Sequence, residues 1–127
     1  MLASTPCPCG SRRAYGACCG LYHPGDLPAP TPEALMRARY TAYVLGRHDF
    51  LRASWHPDTR AEALPPVEPG VRWLGLEIRH MACTDADHGT VEFVARSKLG
   101  GRAHRLHEVS RFVREAGRWY YRDGDLK

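Results

Sequence analysis

No stretch of this 127-residue chain approaches the roughly 20 apolar residues that a membrane-spanning helix needs. Its first residues, Met1-Leu2-Ala3-Ser4-Thr5, have neither the basic start nor the apolar run of a secretory leader. A cytoplasmic protein without a membrane partner is therefore expected, in a compartment where structural disulfides are rare. Lysine is nearly missing: only Lys98 and Lys127 accompany 16 arginines, which codon bias explains as well as any need for bidentate anion contacts. Charge of one sign is also scarce. The formal net charge is +4, and four thiolates around one divalent metal would bring it to about +2. That is too weak to argue nucleic acid as a partner. There is no internal repeat, phosphate-cradling glycine loop, HExxH pattern or nucleophile–base–acid set. No catalytic residue is assigned, and the reading leans away from an enzyme.

What is present is an ordinary core. Apolar residues make up 43% and charged residues 25%, enough for one domain that needs no covalent staples. The five cysteines thus call for another explanation. Four of them fall in residues 1–22. Residues 23–32 hold four prolines and a glycine, the composition of a stiff, extended connector. Residues 33–127 carry the periodic patterns of a folded α+β domain, to which the first segment would be an appendage.

Thr31 is a good N-cap, Pro32 suits the first helical position, and Glu33 favours the positive end of the dipole, so a helix is expected to run to Leu45 and stop at Gly46. Met36, Tyr40, Tyr43 and Val44 form its buried stripe. Asp49 is expected to cap a short helix through Phe50 to Trp55, and Asp58 a further turn before Pro65-Pro66. After Gly70 the period changes to two. Strands are expected over Val71–Met81 (Leu74, Leu76 and Ile78 on one face), Thr90–Lys98, Arg102–Arg114 and Arg118–Asp123. Helices followed by an antiparallel meander of about four strands imply helices laid across one face of a curved sheet.

The cysteines read Cys7-Pro8-Cys9, eight residues, then Cys18-Cys19. Two close pairs joined by a short loop can converge on a tetrahedral zinc ion, with sulfur about 2.3 Å from the metal. Residues 7–19 have almost no core of their own, so Zn2+ would supply most of their folding free energy. Arg12 and Arg13 would offset the site's negative charge. Redox chemistry at Cys18 and Cys19, or inert thiols, are the competing readings. His23 lies close enough in sequence to replace one ligand. Cys83 stands alone.

Cys7-Pro8-Cys9-Gly10-Ser11, with Tyr15 and Cys18-Cys19-Gly20, resembles a SEC-C motif, the zinc knuckle found at the C-terminus of the SecA translocation ATPase. Many members close their ligand set with Cys-His; Cys18-Cys19 here implies an all-sulfur site. The resemblance extends over nearly the whole chain. Pro32 to Tyr43, Ser54-Trp55-His56-Pro57, Trp73-Leu74-Gly75-Leu76, Val91 to Arg96, Glu108 with Ser110-Arg111-Phe112, and Gly117 to Tyr121 with Asp123-Gly124 resemble the YchJ family, apart from Val109, where relatives often have Arg. That resemblance implies a cystatin-like, cone-shaped α+β fold shared with nuclear transport factor two. A single knuckle is expected, since Leu126-Lys127 offers no second copy.

Folds of this kind enclose a cavity between sheet and helices. On the third strand Leu106, Glu108, Ser110 and Phe112 share a face, and a carboxylate on a core-facing side needs a partner. Arg37, Arg39 or His56 could supply it. A structural ion pair is one reading, and a polar group in a pocket built from Arg39, Trp55, His56, Glu108, Ser110 and Phe112 is the other. His104 and His107 point to opposite faces and should not share a metal. Two functions follow as expectations: an adaptor whose knuckle meets a protein partner, or a small-molecule binder or enzyme using the cavity. A thiol redox sensor is the third.

Overall fold

A computed structural model describes residues 3–61 and 70–127; the expected stop at Pro65-Pro66 lies outside the described residues. Two short 3-10 turns, Tyr15–Ala17 and Cys19–Leu21, precede helix α1 (Pro32–Leu45) and helix α2 (His48–Ala53). Four strands follow: β1 (Arg72–Asp85), β2 (His88–Leu99), β3 (Arg102–Glu115) and β4 (Arg118–Leu126). They form one antiparallel sheet in the order β1-β2-β3-β4. The architecture is α+β, as expected.

Local chemistry sets the bounds of α1. The Thr31 hydroxyl accepts the Ala34 N–H at 3.1 Å, Pro32 fills the first position, and Gly46 closes the helix in the left-handed conformation. Thr31→Ala is expected to cost about 1 kcal/mol in urea denaturation and Thr31→Asp much less; equal losses would show that the cap hydrogen bond contributes nothing.

The burial of α1 is wider than its expected stripe. Leu35, Met36, Ala38, Arg39, Tyr40, Thr41 and Ala42 are all buried, whereas Tyr43 is exposed. One side of α1 faces the sheet. The small side, Ala38, Thr41 and Ala42, carries the cysteine-bearing segment, and the four cysteines belong to the same apolar cluster as α1 and the sheet. The first segment is therefore docked on the core, not hung from it by the proline-rich connector.

The second helix begins one residue before Asp49, with Arg47 rather than Asp49 in the capping position. In the next turn it is the His56 ring, not Asp58, that accepts a backbone N–H, that of Asp58, at 3.1 Å. Between these, residues 54–56 lie beside β4: Tyr121 N donates to Ser54 O and His56 N to Tyr121 O, both at 2.8 Å.

Two bulges decide which side chains face the helices. Trp73 pairs with Ser97 and Gly75 with Arg96, so Leu74 is the extra residue and turns outward, 53% exposed. Trp73, Leu76 and Ile78 face inward instead of the expected Leu74, Leu76 and Ile78. On β4 the register shifts between Asp123 and Tyr121, which places Arg122 in the bulge and Tyr121 on the inner face. The β2–β3 ladder runs without a break, so His104, Leu106, Glu108, Ser110 and Phe112 keep one face throughout.

Candidate metal centre and cavity

The cysteine segment is a folded loop. Pro6 and Ala14 form a bridge, Cys7 N donates to Arg13 O at 2.9 Å, and Tyr15 N donates to Thr5 O at 2.8 Å. Gly10 and Arg12 carry positive φ between them, so the chain reverses tightly after Cys9. The two 3-10 turns then bring Cys18 and Cys19 back. Gly20 lets them close: a Cβ there would lie 2.7 Å from Tyr15 O and 3.0 Å from its ring.

The Sγ atoms of Cys7, Cys9, Cys18 and Cys19 all lie within 4.8 Å of one another, and all four residues are buried. Cys9 and Cys18 are 3.6 Å apart and Cys18 and Cys19 4.0 Å. A tetrahedron with sulfur about 2.3 Å from its centre has edges of about 3.8 Å. The donor set thus fits a metal ion of that size. Ser11 Oγ lies 3.1 Å and Arg13 Nη2 3.8 Å from Cys18 Sγ, and Thr41 Oγ1 lies 3.4 Å from Cys19 Sγ and 3.7 Å from Cys7 Sγ. These groups can stabilise thiolate charge, the role expected of Arg13; Arg12 is exposed at the tip. Contact with the Cys19 thiol holds Cys9 down against its own burial, while burial pushes Cys7 up.

His23 is not a ligand. Its Nδ1 lies 2.6 Å from Tyr15 Oη and its Nε2 2.9 Å from Ala38 O, so both ring nitrogens are engaged. The ring pins the segment to α1, as does Arg37, whose Nη1 donates to Cys9 O at 2.7 Å while Nε pairs with Glu33 at 3.0 Å. Cys83 is exposed, away from the cluster.

Between α1, α2 and the inner face of the sheet lies a cavity of about 570 Å3. Arg39, Trp55, Glu108 and Ser110 are on its wall, and Tyr40, Tyr43, Trp73, Leu106 and Tyr121 supply much of the rest. Two expected members fall outside the wall. Phe112 shares the face of Glu108 and Ser110 but is 2% exposed, packed edge-on against Tyr121. His56 follows the segment that lines β4 and turns to Tyr120 and Glu115, its Nε2 3.0 Å from Glu115 Oε2.

The three groups expected beside Glu108 are turned elsewhere. Arg37 serves Glu33 and Cys9, His56 faces Glu115, and Arg39 Nη1 donates to Leu51 O at 2.9 Å and to Ser54 Oγ at 2.6 Å. Among the described residues no ion pair within 4.0 Å reaches Glu108; its contact is the Ser110 hydroxyl, which donates at 2.8 Å. The ion-pair reading is thereby replaced by a carboxylate held by a hydroxyl. His104 lines the cavity, whereas His107 pairs with Glu92 at 2.7 Å on the outer face. The wall residues Tyr43, Trp73 and His104 escaped the sequence reading, although parity along the unbroken third strand would have found His104.

Comparison with known proteins agrees with these features. Residues 31–124 match the family model described as "YchJ, middle NTF2-like domain", and residues 4–21 match the SEC-C motif. A UPF0225 protein of Methylibium petroleiphilum is 59% identical over 98% of this chain and 90% of its own length. One of Bordetella pertussis is 55% identical over 95% of this chain and 92% of its own length. The solution structure of a SEC-C motif containing protein from Rhodopseudomonas palustris superposes with a TM-score of 0.84 at 32% identity, covering 97% of this chain and 99% of that one. The crystal structure of a SEC-C motif containing protein from Psychrobacter arcticus gives 0.78 at 28% identity, over 100% of this chain and 86% of that one.

Proposed function

The chain belongs to the YchJ family, and we propose from that premise that it is a small-molecule-binding protein whose N-terminal knuckle is held by zinc. The observation that carries the metal is the convergence of four buried sulfurs within 4.8 Å of one another. Sulfur donors select soft or borderline ions, and four of them in a tetrahedron saturate Zn2+. Nothing is left open for substrate, so the metal's work is structural. Elemental analysis tests this directly: about one zinc per chain is expected in the wild type and none in Cys7→Ser, and a metal-free wild type that remains fully folded would falsify it.

The binding half rests on the cavity. It is an open cleft bounded by the sheet and both helices, mostly apolar and aromatic, with a few polar groups at fixed places, the usual make-up of a ligand site. The adaptor reading has a narrower surface available. The knuckle's sulfur face is turned onto α1, so a protein partner would meet the exposed tip at Gly10, Arg12 and Arg13. Deleting residues 1–22 does not separate the two readings, because it also strips the cover from Ala38 and Ala42. Reversing charge at the tip does: Arg12→Glu would abolish partner capture while zinc and cavity stay intact. No helix among the described residues is long and apolar enough to cross a membrane.

A further inference from the structure

Glu108 is the sole carboxylate among the described residues on the cavity wall. It is half-buried, with Phe93 opposite it on β2 and Leu106 and Ser110 on either side along the same face. Its position is fixed from two directions. The Ser110 hydroxyl donates to Oε2 at 2.8 Å. On β4, Gly124 leaves the room it occupies: a Cβ on Gly124 would lie 2.7 Å from Glu108 Cδ and 2.8 Å from Oε1. A carboxylate in such surroundings is costly unless a cation meets it.

Among the described residues no cation pairs with it at contact distance. Arg39 is the one arginine on the described wall, but it is 4% exposed and its Nη1 donates to Leu51 O and Ser54 Oγ. The guanidinium lies under the Tyr121 ring, 4.6 Å from its centroid. It is thus committed to joining α1, α2 and β4. Glu108 acts at a distance on Arg39 and on the Tyr121 phenol, which is pushed up to about 12, first by burial and then by Glu108, while the Glu108 carboxylate keeps a face on the cavity. On the same wall stand the rings of Tyr40, Tyr43, Trp55 and Trp73, side chains that favour cations by their quadrupoles and apolar groups by their area.

We propose that the cavity takes an apolar organic cation, an aryl- or alkylammonium, with its charged nitrogen on Glu108 and its hydrocarbon part against the aromatic wall. This rests on reading the cavity as a ligand site. Calorimetric titration of the zinc-loaded, full-length protein with 4-phenylbutylammonium, 4-phenylbutanol and 4-phenylbutanoate tests it. The ammonium is expected to bind at least about tenfold more tightly than the alcohol, and the carboxylate more weakly than either. Glu108→Gln should bring the ammonium to the affinity of the alcohol and leave the alcohol unchanged. If the alcohol or the carboxylate binds the wild type as tightly as the ammonium does, the cation proposal is overturned while the cavity remains a binding site. If none of the three binds at millimolar concentration, both readings fall. The comparison among ligands is made on the wild type, so it stands even if Glu108→Gln does not fold.

Discussion

If the four-cysteine centre holds zinc as proposed, removing it is expected to disorder α1 and the cavity together with the knuckle. The Ala38, Thr41 and Ala42 side of α1 is buried against the cysteine segment, and its opposite side gives Met36, Arg39 and Tyr40 to the cavity wall. The segment has no core of its own, and its turns are closed by single backbone hydrogen bonds. In isolated zinc-finger peptides the metal contributes about 10–16 kcal/mol of apparent binding free energy at neutral pH, comparable with the whole stability of a domain, about 5–15 kcal/mol. If only ~4 kcal/mol of this reaches the body of the protein, the melting temperature falls by roughly 12–20 °C at about 3–5 °C per kcal/mol. Scanning calorimetry with and without a strong chelator, repeated on Cys7→Ser, reads this shift. The near-ultraviolet circular dichroism of Trp73, which packs on Tyr40 and Tyr43, should be lost in the same step. A body that melts unchanged after verified zinc loss would mean that the knuckle is docked without supporting α1.

The sequence made some of this arrangement legible and hid the rest, and the dividing line is physical. The bounds of α1 were readable because a cap is local: Thr31, Pro32 and Gly46 act on residues within one turn. Glu108 was placed on the inner face because β2 and β3 pair without a bulge, so parity carries along the strand. The same reasoning held for Leu76 and Ile78 and failed only at the start of β1, where the extra residue Leu74 turns outward and Trp73 takes its place on the inner face; Gly75, at φ 156, was its local trace. The spacing of Cys7, Cys9, Cys18 and Cys19 announced a cluster, but not what the cluster rests on. Its seat on α1 is made of alanine and threonine, which carry little hydrophobic signal, although small residues at 38 and 42 are what a close approach requires. The partner of Glu108 escaped for another reason. Arg37, Arg39 and His56 are each plausible mates in the sequence, and only the three-dimensional arrangement shows Arg37 and Arg39 donating elsewhere and His56 turned toward Glu115.

Replacing Arg39 by lysine is expected to destabilise the protein more than replacing it by methionine. Arg39 is buried, and among the described residues no carboxylate lies in contact with it. Its charge is met by the Leu51 carbonyl, the Ser54 hydroxyl and the Tyr121 ring, and burial pulls its pKa down. A planar fork reaches all three partners from one stem, which a compact ammonium does not. Lysine therefore retains the desolvation cost of a buried charge while losing part of what offsets it, for a loss of about 3–5 kcal/mol. Methionine removes the charge and its desolvation cost together and keeps most of the stem's packing. It leaves Leu51 O short of a donor and forfeits the cation–π contact, for about 1–3 kcal/mol. Urea denaturation of the full-length proteins should rank wild type above Arg39→Met above Arg39→Lys. A lysine variant as stable as the wild type would show that a point charge suffices and that the fork is not what joins α1 to α2 and β4. The same pair of variants bears on the cavity. Because Arg39 acts within the wall, a folded Arg39→Met should still prefer 4-phenylbutylammonium over 4-phenylbutanol, whereas a reversed preference would mean that Arg39 and not Glu108 sets the charge of the ligand.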